Sequence, residues 1–143
     1  MKSNLYSNNI AHIIQHLAGN ITSRWTDFLT TDGEKESRNR DQEFEDNIQS
    51  KEELIQIWEK AWEILLTGLK QLKTTDWRKT VYIRKEAHTV LEAINSQLAH
   101  CSYHIGQIVF YSKSLLKENW NPLSIPRGES EKYKKKPFIF PAL

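Results

Sequence analysis

The chain has 143 residues, a length that suits a single domain whose core can fold without staples. Hydrophobic residues make up 38% and charged residues 27%, a globular balance that excludes wholesale disorder. Twenty Lys plus Arg stand against 18 Asp plus Glu, and a formal charge of +2 gives no strong field for steering nucleic acid.

The opening residues, MKSNLYSNNIAHIIQHL, hold no apolar run long enough for a signal segment. The first helix is expected over 8–29, where Ile10, Ile13, Ile14, Leu17, Ile21, Trp25 and Phe28 recur at helical spacing. Asn8 or Ser7 can cap its start. Residues 30–49 are polar and include the turn signal Asp32-Gly33. They predict a long loop, and long structured loops are often functional.

Ser50 and Glu53 have capping-box spacing. A second amphipathic helix follows on Leu54, Ile57, Trp58, Ala61, Leu65, Gly68, Leu69 and Leu72. Residues 74–87 are ambiguous, because Thr80-Val81-Tyr82-Ile83-Arg84 has strand composition and permits a short hairpin. From about residue 87 a third helix is expected. Its apolar face carries Ala87, Leu91, Ile94, Leu98, Cys101, Ile105, Ile108, Leu115 and Leu116. Residues 119–143 form an irregular, Pro-rich C-terminal segment in which KYKKK (132–136) is a solvated surface tail. The expectation is one domain over 1–143, all-α, with three long helices.

Cys101 is the single cysteine, so no intramolecular disulfide can form and a reducing compartment fits. No stretch approaches the ~18–20 apolar residues that span a bilayer. The expected address is the cytoplasm, with neither membrane nor nucleic acid as partner.

Five histidines stand out: His12, His16, His88, His100 and His104. Two pairs are spaced i, i+4, and residues four apart on a helix lie ~5–6 Å apart, within reach of one ion. Neutral imidazole is a common ligand of zinc, nickel, iron and copper. With ~100° per residue, the third helix's stripe centres near Leu98 and Ile105, and His100 and His104 fall to one side of it. Gln97, Gln107 and Tyr111 share that flank. On the first helix His16 sits ~125° from the stripe centre, beside Ile13 and Asn20, and His12 lies further round toward solvent. The wheel selects His100 and His104, leaves His16 open and excludes His88. A lone i, i+4 pair is a weak signal, and His100-Cys101-Ser102-Tyr103-His104 lacks the glutamate of HExxH. Cys101 points into the apolar stripe and reads as core.

Two stretches carry a family resemblance. IAHIIQHLAGNITSRWTDFLTTDGEKESRNRDQEFE and LEAINSQLAHCSYHIGQIVFYSKSLLKENWNPLSIPRGES resemble, in order, the signatures of a DinB-like (YfiT-like) group from Gram-positive bacteria. The resemblance covers about residues 8–131. It implies an up-down-down-up helical bundle with a long crossover and a divalent-metal site of three histidines. These fall on His16, in HLAGN, and on His100 and His104, in HCSYH; His12 and His88 are not part of the pattern. Some relatives transfer low-molecular-weight thiols such as bacillithiol, others are known only as metal-dependent hydrolases, and many have no known reaction.

The activity this implies is metal-dependent, with zinc or nickel the expected ion. Three protein ligands leave a position open, at which a thiol would ionise and attack an electrophile, or a water molecule would become nucleophilic. Asn20, Arg24, Gln97, Gln107 and Tyr111 are the expected lining of a small-molecule site, and Arg24, Arg38 and Arg40 can meet a thiol's carboxylates. The rival is a non-catalytic, metal-stabilised helical interaction protein. The family usually places another long helix ahead of the one bearing His16. Its lack here predicts a groove lined by Ile14, Ile21 and Trp25, and hence a homodimer that covers it.

Overall fold

The structure is a computed structural model that describes residues 8–134. Ser7, residues 135–143 and the last two lysines of KYKKK lie outside the described residues. The described chain is 61% helical. It divides between Val109 and Phe110 into two compact units.

The first unit opens on helix α1, Ile10–Trp25. Its cap is Asn9, one residue after the expected Asn8: the Asn9 side chain accepts the His12 N–H at 2.8 Å. The helix stops at Trp25 rather than running to 29. Thr26 is extended, and Asp27 takes a left-handed φ of 51° while its carbonyl accepts the N–H groups of Thr30 and Thr31. Leu17 and Ile21 are fully buried on the inner face, each worth ~1.5–3 kcal/mol of burial.

Helix α2, Lys51–Gln71, starts where the capping residues put it. Ser50 Oγ accepts the Glu53 N–H at 3.1 Å, while the Glu53 carboxylate returns to the N–H of Gln49, one residue short of a strict box. Ala61 and Leu65 bury against α1, with Ile57, Trp58, Trp62 and Leu69 packed partly around them. Gly68 lies flat against the Trp25 ring, where an added Cβ would sit 3.2 Å from Cε3.

An all-α chain was the expectation; the molecule is mostly helical and carries an antiparallel hairpin. Strands β1, Thr80–Ile83, and β2, Glu86–Thr89, pair with Val81 opposite His88. Arg84 and Lys85 form the two-residue turn, both with positive φ, 54° and 64°. That conformation suits Asn-Gly and strains longer side chains. Asp32 compensates: its carboxylate accepts the Arg84 N–H at 2.9 Å and the Lys85 N–H at 2.7 Å. The hairpin displaces the start of helix α3, Val90–Leu116, from 87 to 90, so that Ala87 and His88 are strand residues.

The buried face of α3 is Val90, Ala93, Gln97 and Cys101, not a stripe centred on Leu98 and Ile105. Leu98 is 65% exposed. Ala93 and Cys101 are small members of the buried core, and the buried amide of Gln97 is satisfied by the Trp25 indole N–H at 3.3 Å. Counting large apolar residues therefore set the face ~100° off, the step from Gln97 to Leu98. Of the residues expected to line a groove, Ile14 is half-buried, whereas Ile21 and Trp25 are 0% and 3% exposed among the described residues, in one cluster with Ala61 and Leu65 of α2, Val81 and Ile83 of the hairpin and Ala93 of α3.

The second unit takes the end of α3 and a 3-10 turn, Lys117–Asn119. The Lys113 ammonium lies over the Trp120 ring, 5.6 Å from its centre. A single helical turn, α4, Ser130–Tyr133, ends the described chain, which is otherwise irregular from residue 120. No helix among the described residues is long and apolar enough to cross a membrane.

Candidate metal centre

His16, His100 and His104 each offer a ligand atom, and these atoms lie within 4.8 Å of one another. His16 comes from the middle of α1, where the i, i+4 rhythm of Leu17 and Ile21 turns it toward α3. His100 and His104 are one turn apart on α3. The three rings stand nearly edge to face, with centroids 4.7–5.2 Å apart. Phe44 stacks on His16 at 5.1 Å and shields one side.

Each Nδ1 is already engaged. His16 Nδ1 bonds Glu43 Oε2 at 2.9 Å, His100 Nδ1 bonds Asn20 Oδ1 at 3.1 Å, and His104 Nδ1 bonds Gln107 Oε1 at 2.8 Å. Carboxylate and amide oxygens only accept, so each Nδ1 carries the proton and donates. In the neutral ring that leaves Nε2 as the lone pair. The lone pairs of His16 and His100 face each other at 3.2 Å. Two such pairs repel unless a cation lies between them. Nitrogens ~2.0–2.1 Å from one tetrahedral centre are ~3.3–3.4 Å apart, so the spacing fits a divalent transition metal.

The electrostatics agree. Burial lowers the His100 pKa to about 4, with His104 and His16 nearby adding to the effect. Burial lowers His104 as well, against the opposing bond from Gln107. Both rings are therefore neutral, the ligating form, at physiological pH. Burial pushes the Cys101 thiol up, in keeping with a core residue.

Of the expected lining residues, Asn20 and Gln107 contact the ligand rings directly. Gln97 is a correction. It is 3% exposed and sits between helices, accepting from Trp25 and from Arg24 Nη1 at 3.2 Å, rather than facing a polar mouth. Arg24 lies about two turns beyond His16 on α1. Tyr111 belongs to the second unit. Arg38 is taken up by Glu43 and Glu34, and Arg40 lies over the Phe44 ring. His12 pairs with Asp46 at 2.9 Å, and His88 stands on β2, so neither joins the cluster. Sequence reasoning missed Glu43 and Phe44. The polarity and length of the 30–49 loop marked it as functional, but no periodicity inside it singles out Asp41–Phe44, the short 3-10 turn that delivers both side chains.

A family model described as "Protein of unknown function (DUF1572)" matches residues 1–129. No curated protein and no solved structure matches the chain.

Proposed function

The chain belongs to the DUF1572 family of proteins of unknown function, and from that footing we propose that it is a DinB-like enzyme that uses one divalent metal, zinc or nickel, to transfer a low-molecular-weight thiol to an electrophile. The observation that carries the metal assignment is the convergence of three Nε2 lone pairs whose Nδ1 partners are all fixed. The thiol reading rests on the resemblance of the HLAGN and HCSYH segments to DinB-like sequences, as does an up-down-down-up course for the helices.

His16, His100 and His104 would hold the ion, and it would supply, at a position the protein leaves open, the Lewis acidity that ionises a thiol or a water molecule. The protein's own part is to orient the three rings and to keep those of His100 and His104 neutral. Asn20 and Gln107 fix two of them, and Phe44 excludes water from the third. Arg24 supplies a cation for a carboxylate of the thiol. In the transfer a C–S bond forms as the C–O bond of an epoxide or the C–halogen bond of an alkyl halide breaks. The thiol proton ends on the opened oxygen or, beside the halide, in solvent.

The test pairs metal-loaded protein with a bacillithiol-type thiol and with epoxide, alkyl halide and ester substrates. Loss of thiol together with electrophile supports transfer. Ester cleavage without thiol consumption makes it a hydrolase. No turnover with the metal bound makes it a metal-stabilised interaction protein.

A further inference from the structure

We propose that Glu43 is the positioning residue of the histidine site, fixing the His16 ring with Nε2 unprotonated and aimed at the other two rings, and that Gly19 is the residue that lets it do so. The inference rests on reading the three histidines as metal ligands.

The contact between Glu43 and His16 joins residues 27 apart in the chain, and both are buried. The carboxylate has no freedom to leave. Arg38 grips it through two parallel bonds, Nε to Oε1 at 2.7 Å and Nη2 to Oε2 at 2.9 Å. Arg38 is in turn held by Glu34 at 3.2 Å, and Glu34 accepts from Arg84 Nε at the hairpin turn at 3.3 Å. A file of alternating charges thus runs from His16 through the loop to the hairpin. Paired through both oxygens with Arg38, the Glu43 carboxylate only accepts, so the proton of its bond to His16 sits on Nδ1. Glu43 thereby fixes the tautomer.

Gly19 is the complementary feature on α1. It follows His16 by three residues, so the two share a helix face. A Cβ at position 19 would lie 2.2 Å from Glu43 Oε1 and 2.8 Å from its Cδ. A free glutamate would swing aside, but this one is pinned on three bonds. Any side chain at 19 must then push the carboxylate off His16. The glycine is needed for close approach of the loop, since its backbone is ordinary helix.

The experiment has two independent arms. In metal-free protein, long-range 15N–1H correlation spectra should show His16 as a single Nδ1–H tautomer in the wild type, and as a mixture with Nε2–H in Glu43→Ala. In zinc titrations against a competing chelator, Glu43→Ala should bind about 10–100-fold more weakly. Glu43→Gln, whose amide oxygen still accepts from Nδ1, should recover part of that loss and also covers the case in which the alanine variant fails to fold. Gly19→Ala should reproduce the loss alone and add nothing in the Glu43→Ala background. An unchanged His16 tautomer in Glu43→Ala, or unchanged zinc affinity in that variant, overturns the proposal. If the wild type takes up no zinc, or His100→Ala binds it equally well, the metal reading falls instead, and the tautomer arm alone decides the role of Glu43.

Discussion

Nε2 of His16 and Nε2 of His100 face each other at 3.2 Å, although 84 residues separate them in the chain. In the neutral rings each is the nitrogen without a proton, because each Nδ1 donates elsewhere. This arrangement is unfavourable without a cation, and the chemistry expected of the protein follows from it.

Purified without an affinity tag, the protein should carry one divalent ion per chain by elemental analysis. His16→Ala, His100→Ala and His104→Ala should each lose it. His12→Ala and His88→Ala should keep it, since His12 is paired with Asp46 and His88 lies on β2. Full occupancy in His100→Ala would end the assignment.

Protons compete with a metal for histidine nitrogen. His100 has its pKa lowered from the ordinary value to about 4, so its neutral form is the one the fold favours. A depressed histidine contributes stability above its unfolded pKa, about 6.5, and that contribution is lost as pH falls toward the folded value. Metal should therefore be retained at neutral pH and released as pH falls between about 6 and 4. Dialysis at stepped pH followed by metal analysis measures this. Retention well below that window would require carboxylate or thiolate ligands.

The hairpin turn offers a test of the fold. Arg84 and Lys85 both hold left-handed φ values, which cost a non-glycine residue roughly 1 kcal/mol or more. Lys85→Gly should raise the denaturation midpoint by a corresponding amount. Asp32→Ala should lower it, since it strands two turn N–H groups. A midpoint that Asp32→Ala leaves untouched would show that the carboxylate does not brace the turn.

For assembly we expect a homodimer, although the surface differs from the one the sequence suggested. Ile21 and Trp25 are closed over within the chain, while Leu91, Leu98 and Ile105 line up seven apart on α3 and are exposed. A file of large aliphatic side chains in water favours a partner. Sedimentation equilibrium at micromolar concentration should show a dimer, and Leu98→Glu should shift it to monomer. A wild-type monomer would remove the proposal.

Much of this was legible from spacing alone. His100 and His104 are neighbours by helical geometry, and the caps at Asn9 and Ser50 lie within a residue of their sequence signals. The strand composition of Thr80–Arg84 left a hairpin open, and the structure has one there. Two features were hidden for physical reasons. The packed face of α3 uses Ala93, Gln97 and Cys101, and a hydrophobicity count favours large side chains over small or polar ones. Glu43 reaches His16 through a loop, where no repeat links sequence position to direction. Its only trace is Gly19 three residues after His16, and a helical glycine is not by itself evidence of a partner.

The 84-residue separation of His16 from His100 also bears on time. An ion bridging α1 and α3 would bind the folded chain and not the unfolded one, and so would stabilise it by mass action. It cannot act early, because its ligands meet only once distant segments have already come together. The ion would then leave folding speed nearly untouched and lengthen the lifetime of the finished fold, so that escape of metal and parting of the two helices become a single slow event.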